Sequence, residues 1–211
     1  MGKIRISIML ITIQAVEERR NHVDLMCHTL LPHKPVVYYD KLRKSPLNAF
    51  YNMLDIQQYQ NEYRLHMQDD VIFNNRLVRY LPYVLKDMKE RDMHVLTLFT
   101  PNRKLPKEQL SKGLKYGVFP NYLWLQATIF STKFINIMRE VRDEKGEYTK
   151  HDDVFVQDCL KRSKIQAYCH LPSIVQHHIK LGSVVGNANS KRRMSDIYDT
   201  NYITNYLENE A

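Results

Sequence analysis

At 211 residues and a formal charge of +8, the chain is long enough for one well-cored α/β domain and short for two independent ones. Its 44% hydrophobic and 26% charged residues, with only six glycines, exclude a disordered chain. The basic balance, with a pI near 9.3, suits an anionic partner such as nucleic acid, nucleotide or acidic glycan, and an ordinary solubilising surface accounts for it equally well.

The first eleven positions of interest, residues 3–13, form a β-branched, nearly continuous apolar run that reads as a buried first strand. The run lacks a small-residue cleavage site and passes directly into Gln14-Ala15-Val16-Glu17, so a signal peptide is not expected. Over residues 17–31, Val23, Leu25, Met26 and Leu30 recur at helical spacing, and after Pro32 and Pro35 a second strand, Val36-Val37-Tyr38-Tyr39, ends at Asp40. Strand, helix, strand is the opening of a parallel sheet, which places ligands beyond the carboxyl ends of its strands.

Leu47, Phe50, Met53, Leu54 and Ile56 predict a helix over residues 47–60. Tyr63, Leu65 and Met67 then alternate through a strand that stops at Asp69-Asp70. A helix with a kink or restart at Pro82 is expected over residues 75–91, and a strand over 94–99. Residues 104–115, polar and basic, read as a mobile active-site loop. A strand-like stretch over 122–130 leads into a helix from Thr132 to about Val141 and a turn at 143–146. His151-Asp152-Asp153 opens a further helix, residues 165–170 form a last strand, and beyond His178 the chain turns polar and basic. No segment holds the ~20 apolar residues that would span a bilayer. Cys27, Cys159 and Cys169 are too few and too scattered for a disulfide framework, and no C-x-x-C or H-E-x-x-H spacing supports zinc. Reduced thiols and a cytoplasmic location are the expectation.

Adjacent carboxylates repel, and each raises the other's pKa unless a positive charge lies close. Magnesium or manganese supplies that charge through one or two carboxylates plus substrate phosphates. A helix N-terminus capped by one of the two acids is the simpler account of an isolated Asp-Asp. The same two accounts apply to Asp152-Asp153, whose carboxylates are also candidates for a general base. His177 and His178 are neighbours on an extended segment and point to opposite faces, so at most one enters a site; the context of Gln176 favours His177.

The order of these features resembles the GT-A nucleotide-sugar glycosyltransferases. The likeness rests on the first strand with Arg19-Arg20, on Gln68-Asp69-Asp70-Val71, on the segment from Tyr122 to Ser131, on His151-Asp152-Asp153-Val154-Phe155 and on Leu171-Pro172-Ser173-Ile174-Val175-Gln176-His177. It implies a GT-A-like (Rossmann-like) α/β domain over residues 1–180, with a mixed, mainly parallel sheet flanked by helices, and a basic segment, 181–211, packed on or flanking the site. It further implies a nucleoside-diphosphate sugar donor held by Asp69, Asp70, Asp40 and Arg19, and a Mn²⁺ or Mg²⁺ ion on Asp70, helped by Asp69 and His177. Asp153 or Asp152 meets the acceptor as base, and Trp124, Gln126, Lys191, Arg192 and Arg193 bind it. Gln68 departs from the family pattern, standing where many relatives carry an acid.

Three readings stay open. The basic cluster Lys191-Arg192-Arg193 and the composition look like bacteriophage enzymes that transfer a hexose or pentose to 5-hydroxymethylated pyrimidines, with double-stranded DNA as acceptor and the host cytoplasm as setting. The same donor chemistry also suits a surface glycan, lipopolysaccharide or protein acceptor. A non-catalytic nucleic-acid-binding α/β module would share the fold without the chemistry.

Overall fold

The computed structural model describes residues 9–41, 45–57, 61–100, 104–120, 125–145, 151–178, 180–181 and 194–210. Within them lie strands β1 (Met9–Ala15), β2 (Val36–Tyr39), β3 (Tyr63–Gln68), β4 (Val71–Phe73), β5 (Val95–Thr97), β6 (Tyr116–Val118), β7 (Ala127–Ser131), β8 (Ala167–His170) and β9 (Val175–His177). The helices are α1 (Arg20–Thr29), α2 (Pro46–Asp55), α3 (Leu77–Glu90), α4 (Lys104–Ser111), α5 (Thr132–Lys145), α6 (Asp152–Ser163) and α7 (Tyr202–Asn209).

A seven-stranded sheet runs in the order β2-β1-β3-β7-β5-β8-β6. Strand β1 is parallel to β2 and β3, and β5 to β8, whereas β7 runs against both β3 and β5 and β6 runs against β8. This is the mixed, mainly parallel sheet with helices on its faces expected of a GT-A-like fold. A separate pair, β4 and β9, lies antiparallel with Val71 opposite His177. The chain leaves β1 towards β2 and then crosses back to β3, so the crevice between the carboxyl ends of β1 and β3 is a topological switch point.

Alternation along the strands divides the core. Ile11, Ile13, Leu65, Met67 and Ile129 pack with Val23 and Met26 of α1, with Leu81 and Val84 of α3 and with Ile203 of α7. On the other face Val95, Phe130 and Cys169 meet Phe50 of α2, Phe134 and Met138 of α5 and Phe155 of α6. Strand β3 is unusual on this second face, because Arg64 and His66 are buried there, 2% and 1% exposed. Arg64 donates to the carbonyls of Met53 and Ile56, at the C-terminal end of α2 where carbonyls lack helical partners and a cation is favoured. Helix α2 starts where Ser45 Oγ accepts from the Asn48 N–H at 3.0 Å and Pro46 takes the first turn.

The helix expected through Pro82 is α3, which continues past the proline. Residues 104–115 are not a loop. They form α4 and the approach to the edge strand β6, with buried Pro106 in the first turn, where a missing N–H costs nothing. A Cβ at Gly117 would lie 2.9 Å from Leu171 Cδ1 and closer still to Gln109 Oε1, so glycine lets α4 lie against β6. Helix α5 also runs on through the expected turn to Lys145.

Helix α7 is seated by aromatic rings: Tyr202 and Tyr206 pack edge-on against Tyr80, and Tyr202 against His170. His170 Nδ1 faces the Pro172 carbonyl at 2.7 Å, which can only accept, so Nδ1 carries the proton and Nε2 accepts from Tyr80 OH at 2.8 Å. Burial pushes His170 down to about 4, so this neutral tautomer holds at physiological pH. Tyr80→Phe would strand the buried Nε2 and should lower unfolding free energy by about 1–3 kcal/mol, measured by urea denaturation at pH 7.

Candidate functional site

The site is assembled at the β1/β3 crevice. Beyond β1 the chain makes one 3-10 turn, Glu17–Arg19, that carries Arg19 back towards the end of β3. Arg19 is buried, as are Asp69 and Asp70 in the turn between β3 and β4. Arg19 Nη1 donates to Asp69 Oδ1 and lies 3.6 Å from Asp70 Oδ2, so one guanidinium serves both carboxylates. The Val16 N–H donates to the other Asp69 oxygen, Oδ2, at 2.7 Å. Burial nevertheless pushes the Asp69 carboxyl above its usual range, against the pull of Arg19 and the Val16 N–H.

The antiparallel pairing of β4 with β9 brings His177 over the same turn. Its Nε2 is 3.3 Å from Asp70 Oδ2, and the next residue's N–H, that of His178, donates to the Asp70 carbonyl at 2.7 Å. Gln176 anchors this strand to the chain where it returns: its Nε2 donates to Ser195 O at 2.7 Å and its Oε1 accepts from the Ser195 N–H at 2.9 Å. His178 turns away, its ring edge-on to His22 with centroids 4.9 Å apart, and His22 Nε2 donates to Val71 O at 2.9 Å.

Across the crevice, Asp152 stands in the first turn of α6, buried at 7% exposure. Gln68 Nε2 approaches its Oδ2 at 3.5 Å, linking the two acidic pairs through the last residue of β3. Burial, with the neighbouring Asp153, pushes the Asp152 carboxyl up to about 6. Asp153 is partly exposed, and its Oδ1 accepts from the Val154 N–H at 2.8 Å. Both members of the pair therefore also serve the helix N-terminus, as an isolated Asp-Asp would.

Arg19, Asp69, Asp70 and His177 come together, and Asp152 joins them through Gln68. Gln126 lies beside Gln68, whose N–H donates to the Gln126 carbonyl at 2.9 Å. Asp40 sits at the end of β2, its N–H donating to Ala15 O, two strands from Asp69. Trp124, Lys191, Arg192 and Arg193 lie outside the described residues. Val16, Gln14 and His22 are additions to the expected set; the strand-end position of Gln14, level with Gln68, is the signal that could have found it.

No protein-family model matches the chain, and no curated protein matches it. Among solved structures it is similar to the crystal structure of A197 from STIV, at 13% identity and a TM-score of 0.53, over 80% of this chain and 84% of that one. That likeness is one of fold. It also aligns with the crystal structure of a glycosyltransferase involved in the glycosylation of the major capsid of PBCV-1, at 15% identity and a TM-score of 0.39, over 76% of this chain and 94% of that one.

The donor set bears on the ion that the family resemblance implies. Among the described residues no three His, Cys, Asp or Glu side chains are grouped to hold a metal. Asp70 Oδ2 and His177 Nε2, 3.3 Å apart, fit two neighbouring ligands of an octahedral ion that keeps water or phosphate elsewhere. Asp69 is engaged by Arg19 and Val16.

Arg19→Leu would leave two buried carboxylates without their cation. It should lower unfolding free energy by roughly 3–5 kcal/mol at pH 7, with a much smaller loss at pH 4, where a proton can take the place of the guanidinium. Urea denaturation at the two pH values measures both.

Proposed function

We propose that the protein is a glycosyltransferase that takes a sugar from a nucleoside diphosphate and delivers it to an acceptor hydroxyl. The reading rests on one observation: a buried cluster of Arg19, Asp69, Asp70 and His177 at the switch point lies next in the chain to Gln68, whose side chain reaches a second buried carboxylate, Asp152. The first group suits a diphosphate, the second a proton.

Arg19 is held by Asp69 in a fixed pose beside the crevice, a preorganised donor for phosphate oxygens. Asp70 and His177 would hold the divalent ion, which when bound neutralises charge on the leaving diphosphate. Asp152 is the base. A carboxyl raised to about 6 is ionised at neutral pH yet more basic than an exposed aspartate. It takes the proton of the acceptor hydroxyl as that oxygen bonds the anomeric carbon. In the same displacement the bond from that carbon to the phosphate oxygen breaks, its electrons leaving with the diphosphate, and the sugar is inverted. Asp153 is only partly buried, so its carboxylate is better solvated and the poorer base.

A polyanionic acceptor such as DNA is a second reading, favoured by the charge of +8. It predicts duplex binding that weakens steeply between 50 and 200 mM salt, roughly as the number of phosphates contacted.

A screen of nucleotide-sugars for release of nucleoside diphosphate, with and without manganese, tests the main reading. Release from no donor, with or without manganese, would sink it. Asp70→Ala should lose turnover while staying folded. Activity should rise with pH through an acid limb near 6, which Asp152→Asn abolishes along with about 10²–10⁴-fold of the rate.

The same variant carries a stability signature. A carboxyl whose folded pKa lies above its unfolded value weakens the fold as pH rises through that interval, and the cost is fully present above about 6. Asp152→Asn should therefore be more stable than the parent at pH 7.5, by up to about 3 kcal/mol, and equal to it below pH 3.8. Paired urea titrations would show this, and a variant that is less stable at both pH values would remove the case for a desolvated base.

A further inference from the structure

Three glutamines stand side by side where neighbouring strands end. Gln14 is level with Gln68 in the β1/β3 register, and Gln68 is bonded through its N–H to the Gln126 carbonyl just ahead of β7. Side chains two apart on a strand share a face. Thr12 and His66, whose side chains meet at 3.5 Å, set that face for Gln14 and Gln68. Phe130, packed against Phe50 and Phe134, sets it for Gln126. Contacts agree with the parity: Gln14 Nε2 donates to Pro46 O in α2 at 3.0 Å, and Gln68 Nε2 approaches Asp152 on α6. With strands about 4.8 Å apart, the row spans about 10 Å, the scale of one hexose with its hydroxyl groups.

Gln14 Oε1 and Gln126 Oε1 are buried without a hydrogen-bond partner among the described residues, and Gln126 as a whole is 3% exposed. A buried carboxamide oxygen without a donor is destabilising, and its persistence at the mouth of a crevice points to donors that arrive with a ligand. Hydroxyl groups donate as well as accept, as carboxamides do; carboxylate and phosphate only accept. Among the described residues, the charged groups at this end of the face, Asp152 and Asp153, are acidic, while Arg19 is engaged on the other side of the strand end by Asp69.

We infer that Gln14, Gln68 and Gln126 form a neutral hydrogen-bonding shelf for the hydroxyls of the transferred sugar, and that it selects an uncharged hexose over a uronic acid or a phosphorylated sugar. This rests on the transferase reading, in which a diphosphate at Asp70 and a base at Asp152 leave the sugar ring between them, above Gln68.

Calorimetric titration in the presence of manganese tests it, using UDP, UDP-glucose and UDP-glucuronate, and GDP, GDP-mannose and GDP-mannuronate. In the series that binds, the neutral sugar nucleotide should bind about tenfold or more tighter than the bare diphosphate, and the uronate no tighter than the diphosphate. Gln126→Met and Gln14→Met, which keep side-chain volume, should each remove most of that gain and leave diphosphate affinity unchanged, with folding checked by thermal melting. A uronate that binds as tightly as its neutral counterpart overturns the shelf alone. So do folded variants that keep the gain, or a protein that binds a diphosphate but gains nothing from either sugar. A folded protein that binds neither diphosphate overturns the transferase reading, and the shelf with it.

Discussion

The guanidinium of Arg19 between Asp69 and Asp70 is the contact on which the rest of the site depends. Two buried carboxylates in consecutive positions could not both stay charged without it. By engaging Asp69, together with the Val16 N–H, it also ties the turn after β1 to the turn after β3. An ion pair and a backbone hydrogen bond thus brace the two turns at the switch point against one another. Asp70 and His177 are left to face one another on the far side of the same turn. In the transferase reading the acidic pair divides its labour: Asp69 braces the wall, and Asp70 would meet the ligand.

A second division follows from the pleat. Gln68 and Asp69 are consecutive, yet Gln68 reaches α6 while Asp69 reaches the turn that leads into α1. The end of β3 therefore turns a carboxylate and a carboxamide to opposite sides within one residue step. A diphosphate and a sugar make opposite demands, one for cations and the other for paired donors and acceptors, and in the transferase reading such a strand end would meet them on different sides. Gln68 in place of an acid is consistent with this, because a third carboxylate between Asp69 and Asp152 would raise the charge to be neutralised and remove a donor.

Much of this was legible in the sequence. Period-two and helical spacing located the strands around Leu65, Val95 and Cys169 and the helices around Phe50, Leu81 and Phe155, since each buries an apolar face of sufficient length. What escaped was short or mixed. Strand β6 has three residues and borrows its register from β8, and α7 is held by Tyr202 and Tyr206 against Tyr80, a contact that no local pattern announces. Helix α4 was hidden by Pro106 and its lysines, which read as a loop until Gly117 lets the helix settle on the sheet edge. In the site, Asp69-Asp70, Asp152 and His177 stood out by residue type. The partnership of Arg19 with Asp69 did not, because fifty positions separate them and only the crossing from β1 to β3 brings them together.

The face of β3 turned towards α2 and α6 carries Arg64, His66 and Gln68 in succession, all polar under an otherwise apolar layer. Each needs its own compensation. Arg64 finds it in the carbonyls at the end of α2, and His66 stays neutral, pushed down to about 3 by burial and by Arg64. Gln68 has only a long contact with Asp152, itself a buried acid with no cation among its described partners. Compensation is partial along the whole strand: Arg64 Nε and His66 Nε2 are buried without a hydrogen-bond partner among the described residues, and Gln68 keeps its long contact with Asp152 at the open end. A core selected for stability alone would place its weakest polar group where packing could be repaired by an apolar residue. Of the three, Gln68 is the one that stands at the strand end, where, in the transferase reading, a bound molecule would add hydrogen bonds to its long contact with Asp152.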